Sequence, residues 1–401
     1  MANRVMDHRG CHFLPRHAAA ERIEGIDIAE LVTEFEPGAR EVSAAELLEY
    51  PDERAVARID DSTSIIETEP DSLDELIVFL NDGDVPTSRI YAVGFGSHWC
   101  FAPGTDPQQV PRFDLPDVDS GNEDLVVAVV DSGFNPHGNL PEWLKKPNVI
   151  FDPEDEETGS SSHGTFVAGL IRQLSPEHRV SLAAARLVDT HKFNQENSEP
   201  GHDNARPPAI TSEVEVAQAI CRLIDRADDL GHRPAALNLS LGAYTCETDD
   251  EVVVLRKALQ AWRTAFGHKS LIFAAGGNAE TNARFYPAAL PGVKAVAAGK
   301  DGSDKVVVWD DSSNPVDIAA AERNWIDNSA PGLDLINHDG PGPPVSWSGS
   351  SFATAVATAL TVRGKGPTVG SDGDWWLDKP IDYRNISGLS YVGPVGPVTN
   401  P

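Results

Sequence analysis

The run Leu125-Val-Val-Ala-Val-Val-Asp131 decides the fold. It lacks the alternation of a half-exposed strand and is too short for an ordinary helix, so it reads as a strand buried on both faces of a parallel sheet. Comparable runs recur at Val180–Val188, Ala235–Leu241, Ser270–Gly276, Val293–Gly299 and, more weakly, Val306–Asp310. Helical patterns lie between and beyond them, at His163–Leu174, Ser212–Asp229, Asp249–Phe266 and Ser351–Val362. Ser212 and Glu215 stand at the spacing of a capping box. Alternating buried strands and helices imply an α/β domain built on a mostly parallel sheet with helices on both faces. Asp131 closes its strand at the carboxyl end, where open sheets of this kind present functional groups.

Outward from this core the character changes. Residues 1–118 are acidic and interrupted by EFEPGARE, ETEPDS and NDGDVPTS. Short elements are expected there at Ala44–Glu49, Ala55–Asp60 and Leu73–Leu80, making a small α+β region. Phe101–Asp119 is proline-rich and aperiodic, the composition of a linker. The expected organisation is therefore an N-terminal region over 1–118, a large domain over 119–380 and a tail over 381–401, whose VGPVGPVTNP ending reads as disordered.

Composition narrows the function. The 401 residues carry 62 acidic and 32 basic side chains, a formal charge of −30. So acidic a chain argues against nucleic acid or an anionic membrane as partner, since both need basic patches. No run approaches the roughly 20 apolar residues that span a bilayer, and the first 25 residues have no signal-peptide core, so the expected location is cytoplasmic. Four irregularly spaced cysteines, Cys11, Cys100, Cys221 and Cys246, fit neither a zinc site nor a disulfide framework. His137, in a Pro-Gly loop, reads as a surface residue, and the acidic run Asp152–Glu157 as a solvated loop or, alternatively, as a site for calcium or basic substrate side chains.

Three segments carry chemistry: VVAVVDSGFNPHGNL with Asp131, SSSHGTFVAGLI with His163, and VSWSGSSFATAVATAL with Ser351. Singly, Asp131 reads as a turn residue, His163 as a helix cap and Ser351 as a small helix residue. Together they closely resemble the three active-site motifs of the subtilisin-like serine peptidases, or subtilases. Val130–Gly133 matches the Asp-Ser-Gly motif, His163–Gly169 the His-Gly-Thr-x-Val-Ala-Gly motif, and Gly349–Ala353 the Gly-Thr-Ser-Met-Ala motif with changes. FAAGGNAE resembles the family's Ala-Ala-Gly-Asn strand end, LNLSLGA its substrate-binding strand, and Phe285–Gly299 its Tyr-Pro-Ala segment. The resemblance covers about residues 124–365.

That resemblance implies a subtilisin-like fold and a serine endopeptidase working through an acyl-enzyme. A serine hydroxyl is a poor nucleophile at neutral pH, so His163 would take its proton while Asp131 fixes the imidazole tautomer. Asn278 and the backbone N–H of Ser351 would bind the oxyanion. Ser240, Leu241, Gly242, Ala275 and Gly276 would hold the substrate, a protein or peptide. No cofactor or metal is called for. Many members insert a calcium-binding loop after the histidine helix, but Leu174–Val180 runs almost directly into the next strand, so that site is not expected here. Ser350 stands in place of the usual threonine, Phe352 of methionine and Ala355 of proline. The long polar segment Thr190–Thr211 is expected near the cleft, either in recognition or as a surface loop.

Many subtilases carry a propeptide of similar length to the N-terminal region. Residues from about 20 to 100 are expected either to play that role or to form a permanent domain that binds a partner protein. The missing signal peptide, this added region and the long loop together suggest a restricted intracellular substrate. A different class, a regulatory or binding protein with a subtilase fold and little turnover, stands as the alternative.

Overall fold

The computed structural model describes residues 13–47, 62–95, 107–110, 115, 117–118, 121–136, 140–151, 162–185, 210–245, 252–281, 283–299, 305–309, 315–319, 325–340, 342–363 and 389. The expectations for His137, Asp152–Glu157, Ala55–Asp60, most of Thr190–Thr211 and the VGPVGPVTNP ending lie outside the described residues. So do those for Cys11, Cys100 and Cys246.

The N-terminal region folds as an α+β unit: β1 (Phe13–Glu21), α1 (Ile28–Phe35), β2 (Arg40–Val42), α2 (Ala44–Leu47), β3 (Thr63–Glu67), α3 (Leu73–Asp82) and β4 (Thr87–Gly94). Its strands pair antiparallel in the order β2-β3-β1-β4. Asp27 caps α1 by accepting from the Glu30 N–H at 3.1 Å. Alternation on β3 explains the layering. Ile66 packs with Val32 of α1 and Leu76 and Leu80 of α3, while its neighbour Ile65 belongs to the larger core beneath.

A two-residue strand, β5 (Gln108–Gln109), lies within the linker, and after it comes β6 (Asn122–Asp131), the long strand anticipated from the apolar run. The linker is not wholly aperiodic: β5 pairs with β19 (Val345–Trp347), which also pairs with β18 (Leu335–Asn337). The main sheet comprises β7 (Val149–Ile150), β8 (His178–Ala184), β6, β10 (Ala236–Leu239), β12 (Leu271–Ala275), β14 (Lys294–Gly299), β15 (Lys305–Trp309) and β16 (Pro315–Ala319), with β17 (Asn328–Pro331) also on β14. All pairs from β7 to β14, and β14 with β17, are parallel. Only β15 and β16 join antiparallel, at one edge.

The sheet separates two cores. On one face Val127 and Val129 meet α4 (Ser162–Leu174) and α7 (Ser350–Val362). On the other, Ala128 and Val130 meet α5 (Glu213–Leu230) and α6 (Val253–Phe266). Helices thus cover both faces, which is why the strands read as continuous apolar runs. Ser212 caps α5 as its sequence suggests, accepting from Glu215 N–H at 3.2 Å. Helix α6 is described from Val253; Asp249, where it was expected to begin, lies outside the described residues. Leu389, from the stretch read as a tail, is buried in the α4/α7 core.

The two units share a core and a sheet edge. Strand β9 (Ile210–Ser212) adds antiparallel to β4, and Ile90 and Val93 join the cluster of α5 and α6. Fully buried Glu213 accepts the N–H of Tyr91 at 3.0 Å. Glu21 accepts from Arg256 at 2.8 Å and Lys257 at 2.5 Å, both on α6. The segment after α4 is held by buried Arg172, whose guanidinium donates to the carbonyls of Trp143, Pro176 and His178. Burial lowers its pKa to about 10. No helix among the described residues is long and apolar enough to cross a membrane.

Candidate active site

The first expected residue stands where the strand pattern places it. Asp131 is the last residue of β6 and fully buried. Its Oδ1 accepts the Ser132 N–H at 2.7 Å and lies 2.7 Å from Nδ1 of His163. The approach depends on two glycines. Gly133 turns the chain with φ +112°, and a Cβ on Gly164 would lie 2.0 Å from the Gly133 carbonyl oxygen. Helix α4 can therefore seat its first turn directly against the end of β6.

His163 is 2% exposed, and its Nε2 is buried without a hydrogen-bond partner. Its ring is enclosed by aromatic residues: Trp347 edge-on at 5.6 Å, Phe352 at 5.3 Å and Phe95 at 6.3 Å between centroids. A buried carboxylate on Nδ1 fixes that nitrogen as the donor, which leaves Nε2 as an acceptor. An acceptor kept from water and from any protein donor is placed to take a proton.

Ser351 is the second residue of α7. Its Oγ donates to the Ser240 carbonyl at 3.0 Å, and the Ser240 Oγ donates back to the Ser351 carbonyl at 2.7 Å. Behind them Asn238 Nδ2 donates to Ser240 Oγ at 2.9 Å, and Thr358 Oγ1 donates to Asn238 Oδ1 at 2.9 Å. Ser350 is engaged elsewhere: its N–H donates to Asn278 Oδ1 at 2.8 Å and its carbonyl accepts from Thr354 Oγ1.

Asn278 follows β12 and is 3% exposed. With its Oδ1 committed to Ser350, its amide NH2 is the end left to donate, on the side of Gly349. An extra glycine, Gly277 with φ +84°, separates Gly276 from Asn278.

The five expected substrate-binding residues fare differently. The Gly242 N–H and carbonyl are paired with Gly94 of the N-terminal unit, at 3.3 and 3.0 Å. Ser240 faces Ser351, and Leu241 is buried. Gly276 donates its N–H to Val296 at 2.8 Å, and Ala275 packs in a buried cluster with Tyr244 and Phe285. The aromatic residues around the site, Phe95, Trp347, Tyr244 and Phe285, were not singled out from sequence. None has a distinguishing pattern beyond being aromatic, and Phe95 lies far from the motifs in the chain. Among the described residues no group of three or more His, Cys, Asp or Glu side chains is placed to hold a metal ion.

Comparison with known proteins adds to this geometry. The subtilase family model (Peptidase S8) matches residues 122–365. A curated relative, the thermophilic serine proteinase of Bacillus sp. (strain AK1), is 24% identical over 256 residues, covering 61% of this chain and 53% of that protein. The chain thus spans about half the length of that relative. Among solved structures, the prenylagaramide maturation protease PagA is 22% identical with a TM-score of 0.40, over 61% of this chain and 76% of that one. A lanthipeptide protease is 18% identical with a TM-score of 0.42, over 61% and 73%.

Proposed function

This chain belongs to the subtilase family, and we propose that it is a serine endopeptidase using Asp131, His163 and Ser351. The observation that carries the reading is the buried His163–Asp131 contact at 2.7 Å, with Nε2 held as an unpartnered acceptor. Ser351 Oγ turns from the Ser240 carbonyl toward Nε2, loses its proton there and attacks the peptide carbonyl carbon. The oxyanion is met by the Asn278 amide and the Ser351 N–H. His163 returns the proton to the leaving amine, and water then releases the acyl group by the reverse sequence of proton transfers.

The N-terminal unit acts on the same cleft. Gly94 pairs with Gly242, and Phe95 lies beside His163, so this unit covers the edge on which an extended peptide would add as a strand. We read it as a propeptide-like region that keeps the cleft from unspecific substrates, consistent with a restricted protein or precursor peptide as substrate.

A second reading is favoured by one observation. The Ser351 hydroxyl is given to the Ser240 carbonyl rather than to His163, which leaves the serine without its general base, as a binding protein with little turnover would need. Hydrolysis of a protein substrate beside Asp131→Asn separates the two. The peptidase reading expects a fall of about 10⁴ in kcat with the fold intact. Equal activity in the two proteins contradicts it.

A further inference from the structure

The imidazole of His163 has one hydrogen bond, from Nδ1 to Asp131 at 2.7 Å, while its Nε2 has no partner. The torsion that carries an imidazole is broad, so a single bond pins one corner of the ring and leaves the rest free to rock. Packing has to stop that rocking. Trp347 stands nearly at right angles to the ring, 88° between planes and 5.6 Å between centroids, and Phe352 lies 5.3 Å away. Phe95 reaches it from the N-terminal unit at the longer distance of 6.3 Å.

Trp347 joins the helix that carries His163 to the helix that carries Ser351. It closes β19, opposite Leu335 of β18, and is buried. Besides His163, its indole packs on Phe166, one turn further along α4, at 5.6 Å. It also lies 5.0 Å from Phe352, the residue after Ser351 on α7. Phe166 and Phe352 meet in turn at 4.7 Å, so the three buried rings close a cluster in which none shifts without the others. A flexible side chain at 352 would fill the space without holding its neighbours in one orientation. The cluster thereby sets the gap that the Ser351 proton must cross to reach His163 Nε2.

We propose that Trp347, backed by Phe166 and Phe352, is a positioning residue that holds the His163 imidazole in line for proton transfer from Ser351. The inference rests on the peptidase reading. The indole acts through His163 and takes no part in the bond changes. A misplacement of about 1 Å at such a contact lowers a rate about 100-fold, so one firm wall beside the ring has a large effect. Trp347 and Phe352 belong to the peptidase unit, so this wall stands whether or not Phe95 is in place.

The test compares full-length wild type with Trp347→Phe, which keeps a ring, and Trp347→Leu, which does not. Two readouts accompany the melting temperature: the rate of fluorophosphonate labelling, and the low-field proton resonance of the His163 Nδ1–H held by Asp131. Both variants lose packing and should melt below wild type. Trp347→Leu should label at least about tenfold more slowly, with the resonance broadened or lost. Trp347→Phe should label within about threefold of wild type and keep the resonance. If Trp347→Leu fails to fold, Phe352→Leu should show the same two losses. A folded Leu variant that labels at the wild-type rate overturns the proposal, as does a Phe variant as slow as the Leu one. Slower labelling with an unchanged resonance also overturns it, and so does a wild type without the resonance. A wild type that takes no label contradicts the peptidase reading instead. The resonance then decides the positioning alone, which its loss in Trp347→Leu supports and an unchanged signal overturns.

Discussion

Ser240 and Ser351 clasp each other twice: the hydroxyl of each donates to the carbonyl of the other, at 2.7 and 3.0 Å. The clasp joins the end of β10 to the first turn of α7, and Asn238 and Thr358 brace it from behind. All four residues are almost fully buried. The position of the Ser351 backbone is therefore set by polar contacts that have no access to competing water.

Thr358→Val tests that bracing. It keeps the shape but strips Asn238 Oδ1 of a buried donor, which should cost about 1–3 kcal/mol of stability in thermal or denaturant unfolding. Ser240→Ala should cost less stability yet lower kcat about 10- to 100-fold, through misplacement of the nucleophile. Unchanged unfolding of Thr358→Val would show that the brace contributes nothing.

Asn278→Asp separates the two ends of that side chain. The acceptor toward Ser350 survives while the NH2 donor is lost. Turnover should fall about 10²- to 10³-fold or more, a range set by subtilisin, a member of the same family. The melting temperature should move little. Asn278→Ala should lose both, adding about 1 kcal/mol of destabilisation. Full activity in Asn278→Asp would remove Asn278 from the oxyanion site.

The N-terminal unit should loosen in acid. Burial lowers the His17 pKa from 6.5 to about 4, against the opposing pull of Glu67. The unfolded chain therefore binds more protons between those values, and stability is lost as pH falls from about 6.5 toward 4. Hydrogen exchange of β1 and β4 amides, corrected for intrinsic rates, should be faster at pH 5 than at pH 7, and less so in His17→Gln. Exchange independent of pH would contradict this.

Glu21 ties that unit to α6. Burial raises the pKa of its carboxyl, but hydrogen bonds from Lys257 and Arg256 outweigh this and leave it below its usual value. Its stabilisation is present above the unfolded value and lost as pH falls through the folded one. Glu21→Gln should weaken docking by about 1 kcal/mol, and added salt should narrow the difference from wild type. The same protection of β1 and β4 amides measures it, and an effect unchanged by salt would rule out an electrostatic role.

The inner strands of the sheet were legible because they are buried on both faces and so consist mostly of Val, Ala, Leu and Ile, whereas β16, with the half-exposed sequence PVDIA, offered no such run. Asp131, His163 and Ser351 stood out in the sequence only together, through three motifs that resemble those of subtilases; the structure brings Asp131 and His163 into contact and gives the Ser351 hydroxyl to Ser240. The N-terminal unit was less legible. Its β1 strand includes Arg16 and His17 beside Ala18–Ala20, a pattern with no clean period. The partners that give β1 and β4 their meaning, β9 and α6, lie more than 100 residues away in the chain. The packing of Phe285 against Gly242 and Gly277 was hidden for the same reason, since β11 (Ala243–Tyr244) and β13 (Phe285–Tyr286) pair across about 40 residues of chain.

The central claim is that Ser351 is a nucleophile activated by His163. Fluorophosphonate labelling of the full-length protein, beside Ser351→Ala and Ser350→Ala, tests it most directly. The account predicts covalent labelling of wild type and Ser350→Ala, none of Ser351→Ala, and the added mass on the peptide that contains Ser351. A folded wild-type protein that takes no label, or label that persists in Ser351→Ala, would contradict it.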